Sequence, residues 1–208
     1  MKLFATTSLA TALLFAAPAF AQDNPPTPTA APTEGAPAAP ADPAAADPAT
    51  ADPVTADAAM APVTVEMQHA DGSSAGTVTV TPTPNGLLFA ADLTNLGDGE
   101  RSFHIHETGT CEGDFSSAGG HYNPTDREHG YMAENGPHAG DMPNFTATDG
   151  TAQFQTFNPM VTLSGGDAPL NDADGSSLVV HDGADDYTSQ PAGNAGDRIA
   201  CGVVFAAE

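Results

Sequence analysis

The chain has 208 residues, enough for one ordinary domain with a proper core and at most a small second one. Its 27 acidic residues face four basic ones, for a formal net charge of -23. Nucleic acid and anionic membrane surfaces are recognised by clustered positive charge, so composition argues against both as partners, and the acidity reads as solubility and self-repulsion.

Residues 1–21, "MKLFATTSLATALLFAAPAFA", combine an early Lys2, an apolar stretch through Leu13, Leu14 and Phe15, and a small-residue end at Ala19-Phe20-Ala21. That is the layout of a cleaved secretory signal, and it predicts an exported chain. No other apolar run approaches the length needed to cross a membrane, so no membrane insertion is expected. Residues 22–60 are almost wholly Ala, Pro, Thr and Asp, with a five-residue repeat "ADPAA ADPAT ADPVT" over Ala41 to Thr55. Such a segment has little to bury and reads as a disordered tether. The folded domain is expected over 61–208.

From Val63 the texture changes to short alternating runs: "VTVEMQ", "GTVTVTPT", "GLLFAADL", "RSFHIHE", "NFTAT", "TAQFQTF", "SLVVHD" and "IACGVVF". Rich in Val, Thr and Phe, with Asn85-Gly86 and Asp149-Gly150 as hairpin turns, they predict an all-β antiparallel sandwich or barrel. Two long connections interrupt the spacing, from about Glu107 to Asp141 and from His181 to Asp197. Long loops on a compact β scaffold commonly carry function.

The only cysteines are Cys111 and Cys201. In an exported protein they most simply pair, closing a loop worth about 4–5 kcal/mol in the chain-entropy treatment, with two buried free thiols as the alternative. Six of the seven histidines, at 104, 106, 121, 129, 138 and 181, fall on or beside the two long connections. His69 stands apart and reads as an ordinary surface residue. In a strand, His104 and His106 would share one face while Ile105 turns to the other.

Within "GGHYNPTDREHGYMAENGPHAGD" the spacings from His121 to His129, His138 and Asp141 fit no helical ligand motif, so the loop would have to fold around an ion. Neutral imidazoles with one carboxylate suit zinc, and an all-histidine set also suits copper. Two four-donor sites need more donors than six histidines and Asp141 supply. One imidazole shared through both ring nitrogens would remove the deficit. The alternative is that these histidines merely cap and hydrogen-bond the loops.

The segments "FHIHETGTC", "GGHYNP", "EHG", "PHAGD", "LVVHDGADDY" and "PAGNAGDRIACGVV", in this order over roughly residues 62–205, resemble the copper,zinc superoxide dismutases of the bacterial periplasmic kind. The resemblance implies a Greek-key antiparallel β-sandwich or flattened barrel with copper and zinc as cofactors. It also implies superoxide as substrate, a periplasmic location, and a monomer or homodimer. Carried over by position, copper would take His104, His106, His121 and His181, and zinc His121, His129, His138 and Asp141. His121 becomes the shared imidazolate and a catalytic proton carrier. Asp185 would link a copper histidine to a zinc histidine, Cys111 and Cys201 would form the family disulfide, and Arg198 would guide the anion.

Arg101 and Arg127 are expected to pair with surface carboxylates. One departure concerns steering: "CEGDFSSAGGH" holds Glu112 and Asp114 where bacterial members commonly carry lysines, and Asp197 directly precedes Arg198. The rival reading is a non-catalytic periplasmic copper or zinc carrier on the same fold.

Overall fold

A computed structural model describes residues 60–208. The expected signal, 1–21, and the tether, 22–60, lie outside the described residues apart from Met60. The described part contains β1 (Val63–Gln68), β2 (Ser74–Thr83), β3 (Gly86–Leu93), β4 (Gly99–Arg101) and β5 (Phe103–His106). It continues through β6 (Phe145–Ala147), β7 (Ala152–Asn158), β8 (Ser176–His181) and β9 (Arg198–Phe205). A one-turn 3-10 helix, Ser116–Ala118, is the only helix among the described residues.

Seven strands form one antiparallel sheet in the order β5-β8-β9-β1-β2-β3-β7, and β4 pairs with β6 in a separate ribbon. The last strand returns beside the first and β3 neighbours β7, the non-consecutive adjacency of a Greek key. The sheet curls until its two edge strands face each other: Phe103 of β5 meets Phe154 of β7 edge-on at 5.7 Å, and Phe145 of β6 stacks on Phe154 at 4.5 Å. Alternation supplies the core between them, with Val65, Val78, Phe89, Ile105 and Leu178 all buried.

Asp149 and Gly150 have φ of 52° and 71°, the two positive values a type I′ hairpin requires, between the bridged Thr148 and Thr151. The other expected turn is displaced by one residue. Thr83 pairs with Gly86, so Pro84 and Asn85 form the loop and Gly86 begins β3. There Gly86, at φ 135°, leaves no room for a Cβ against the Asn158 carbonyl.

The run "RSFHIHE" is not one strand. Arg101 ends β4 in the ribbon and Phe103 starts β5 in the large sheet. The break is Ser102, whose N–H donates to the Gly183 carbonyl at 2.8 Å and whose own carbonyl accepts the His181 N–H at 3.0 Å. A third long connection, residues 159–175, joins β7 to β8 with Val161, Leu163 and Leu170 buried in the core. Its two apolar alternations are too short to register as a strand or a folded loop in the sequence.

Candidate metal centre

Each ligand candidate is placed by a backbone feature of the β scaffold. The alternation of β5 sends Phe103 and Ile105 into the core and His104 and His106 to the opposite face, which the long loops cover, so all four residues are buried. After the 3-10 turn the first loop runs back antiparallel to the end of β5. His121 bridges His106, and the Tyr122 N–H donates to the Ile105 carbonyl at 2.8 Å. Gly140 is held against the same residue, where its carbonyl accepts the Ile105 N–H at 2.9 Å; a Cβ there would strike the Ile105 carbonyl. Asp141 follows at once. His181 is the final residue of β8, the neighbour of β5 in the sheet.

Two donor groups result, His104 with His106, His121 and His181, and His121 with His129, His138 and Asp141, each with its donor atoms within 4.8 Å of one another. In the second group three Nδ1 atoms converge on a single oxygen. Asp141 Oδ1 lies 2.8 Å from His121 Nδ1, 3.1 Å from His129 Nδ1 and 3.3 Å from His138 Nδ1. The other carboxylate oxygen accepts the N–H of Gly130 at 2.8 Å and of His138 at 3.0 Å. Three imidazole nitrogens and one carboxylate oxygen are a tetrahedral zinc donor set.

The first group has a sharper signature. His106 Nδ1 donates to the Gly119 carbonyl at 3.1 Å and His181 Nδ1 to the Gly196 carbonyl at 3.3 Å. His104 Nε2 bonds Asp185 Oδ2 at 2.9 Å, and His121 Nδ1 faces Asp141. With the N–H of each ring committed there, the opposite nitrogens, His104 Nδ1, His106 Nε2, His121 Nε2 and His181 Nε2, are buried lone pairs without a partner. Buried polar atoms are seldom left so, and four converging ones fit a copper ion. His121 turns one nitrogen to each group.

Burial, reinforced by neighbouring imidazoles, holds His106 well below the usual histidine range and His121 and His181 down at about 4 and about 3, so these rings stay neutral and able to bind metal. His129 goes the other way. Burial pushes it down, but the carboxylates of Asp141 and Asp185 on its two nitrogens, at 3.1 and 3.0 Å, prevail and hold it up at about 9. Burial would raise both carboxyls, yet the histidine hydrogen bonds keep Asp141 and Asp185 far below the carboxylate range.

Asp185 therefore joins His104 to His129 through its two oxygens, and the Tyr187 N–H donates to it at 2.6 Å. Gly193, at φ 66°, passes so close that a Cβ would strike Asp185 Oδ1 and His129 Nε2. Cys111 and Cys201 are disulfide-bonded, which ties the first loop to β9 three residues beyond Arg198, so the free-thiol alternative is discarded. Arg198 is half-buried and donates from Nη1 to the Phe115 carbonyl and from Nη2 to the Gly119 carbonyl at 2.6 Å.

Two expectations need correction. Arg101 does not seek a carboxylate; its guanidinium donates to the carbonyls of Leu96, Asp98, Glu100 and Asp182, strapping the ribbon to the second loop. Among the described residues no arginine, Arg127 included, forms an ion pair with a carboxylate. Nor is His69 an ordinary surface residue, because it is partly buried and its Nδ1 donates to the Ile199 carbonyl at 2.7 Å. The sequence also did not single out Asn144, Gln190 and Tyr187, which bond to the backbone or carboxylate around the donors. Their partners lie across the two loops, so no local spacing marks them.

Residues 74–204 match the family model described as copper/zinc superoxide dismutase. The chain is 48% identical over 145 residues to "Superoxide dismutase [Cu-Zn] 1" of Aquifex aeolicus, covering 65% of this chain and 86% of that one. It is 44% identical over 146 residues to "Superoxide dismutase [Cu-Zn]" of Caulobacter vibrioides, covering 68% and 84%. Among solved structures, a SOD-like protein from Bacillus subtilis superposes with a TM-score of 0.65 at 36% identity, covering 68% of this chain and 97% of that one.

Proposed function

Since the chain belongs to the copper/zinc superoxide dismutase family, we propose that one imidazole, His121, joins a copper to a zinc at its active site. The protein is a superoxide dismutase with copper and zinc as cofactors. Copper takes His104, His106, His121 and His181; zinc takes His121, His129, His138 and Asp141. The observation that carries this assignment is the set of four partnerless nitrogens, one of them on the ring whose other nitrogen faces Asp141.

Copper held there would supply one-electron redox chemistry, by which one superoxide becomes dioxygen and a second, with two protons, hydrogen peroxide. In the half-cycle in which its Nε2 is not given to copper, His121 would carry one of those protons there and hand it to the second superoxide. Asp185 fixes the rings of His104 and His129 in the tautomers that leave their Nδ1 atoms for metal. Arg198 docks the anion. Its guanidinium is held by the Gly119 carbonyl, which also accepts the His106 N–H, so it stands one carbonyl away from a copper ligand. Beside His181 lies a cavity of about 240 Å³ bordered by Ala192, Asn194, Ala195 and Gly196, with no carboxylate in its lining.

The periplasm is the proposed location, supported by the secretory layout of residues 1–21 and by a disulfide that an oxidising compartment preserves. Outside the centre the charge is unfavourable to an anion, with Glu112, Asp114, Asp182, Asp186 and Asp197 all on or beside the two loops. Superoxide decay by the copper- and zinc-loaded full chain is expected to stay level or quicken as ionic strength rises from about 0.01 M to about 0.15 M, because salt screens that repulsion. A steep fall with salt would reveal a positive funnel that contradicts this charge reading. A fully loaded chain that does not turn over would remove the functional assignment.

A further inference from the structure

Gln190 belongs to neither donor group, yet its side chain is bound to the centre more completely than its position in a loop suggests. Its Oε1 accepts the His129 N–H at 2.8 Å, and its Nε2 donates to the His129 carbonyl at 2.9 Å and to the Thr188 carbonyl at 3.1 Å. One side chain thus satisfies both backbone groups of a residue 61 positions away, the service a neighbouring strand performs in a sheet. Asn144 does the converse. Its Oδ1 accepts the Asp185 N–H at 3.0 Å and its Nδ2 donates to the Asp185 carbonyl at 2.9 Å. Each long loop lends one amide side chain to the backbone of the other, and the two residues so held, His129 and Asp185, bond each other at 3.0 Å.

We propose that Gln190 is a positioning residue for zinc: it fixes the His129 backbone so that Nδ1 reaches Asp141 while Nε2 stays on Asp185. The proposal rests on the zinc ligand set given above. His129 needs such a hold because it sits outside regular structure and is followed by Gly130 at φ 95°, a joint with wide backbone freedom. Its ring has both nitrogens committed, so a small backbone rotation would disturb two contacts at once. Gln190 also borders the cavity beside His181, but both N–H bonds of its amide are already given to carbonyls. It has no donor left for an anionic substrate, which separates a positioning role from a catalytic one.

The test uses the full chain with Gln190→Ala and Gln190→Met, the second keeping most of the side-chain volume. Zinc affinity is read by chelator competition, copper affinity in the same way, and thermal midpoint on the metal-free proteins. Both variants are expected to bind zinc about tenfold to a hundredfold more weakly while copper affinity and the metal-free midpoint stay near those of the parent. Parent-like zinc affinity in Gln190→Met with loss only in Gln190→Ala would assign the effect to packing and overturn the proposal. So would an equal loss for both metals that tracks a lowered midpoint. If zinc held by the parent chain is insensitive to His138→Ala, the ligand set itself is wrong and the proposal falls with its premise.

Discussion

His121→Ala is expected to lower superoxide dismutation by the metal-loaded chain about a hundredfold or more, with zinc retention weakened in the same sample. The ring has no substitute in either direction. Its Nδ1 is the contact closest to Asp141 Oδ1, at 2.8 Å, and its Nε2 is one of the four partnerless nitrogens. On the proposed assignment, removing it would take one donor from each metal set and the proton from the second half of the cycle. Superoxide decay with metal analysis on the same preparation reads all three losses. A variant that keeps full activity with both metals bound would mean that the two ions do not share a ligand.

Opening the Cys111–Cys201 bond with paired serine substitutions is expected to destabilise the metal-free protein by about 4–5 kcal/mol, a large part of the 5–15 kcal/mol that typical domains possess. The bond closes a separation of 90 residues, so the unfolded chain gains much freedom when it is lost. The damage would not stop at stability. Cys111 anchors the segment that supplies the Phe115 and Gly119 carbonyls, the two acceptors holding the Arg198 guanidinium. Denaturant unfolding should show the lower midpoint, and superoxide turnover in the still-folded variant should drop as Arg198 loses its fixed position. An unchanged midpoint would mean that the reduced chain is already constrained by other contacts.

The donor groups were legible because their residue types are rare in this chain and cluster on two connections, and because alternation in "FHIH" dictates a shared face. The strands were legible for the same periodic reason. Alternation does not report which strand a run pairs with, so the change of sheet at Ser102 left no trace in the pattern. Nor does it mark a loop that fills a core, as residues 159–175 do through Leu163 and Leu170. Arg101 looked like a surface cation because sequence shows charge but not the carbonyls of Leu96, Asp98 and Asp182 gathered around it. Gln190 and Asn144 were invisible for a related reason: their partners are backbone groups, which every residue carries.

The claim that His121 is shared can be tested by counting protons. Near pH 7 the metal-free centre holds an extra proton on His129, whose value is held at about 9, while His121, at about 4, is a neutral ring with a single N–H. Zinc added first in a pH-stat should release the proton held on His129, and this part of the release should fade as the pH is raised through about 9. Copper added next should release about one more, because the remaining N–H of His121 has no nitrogen left to occupy. A second step without proton release would show that copper binds without taking the other nitrogen of His121, and the bridged centre would have to be abandoned.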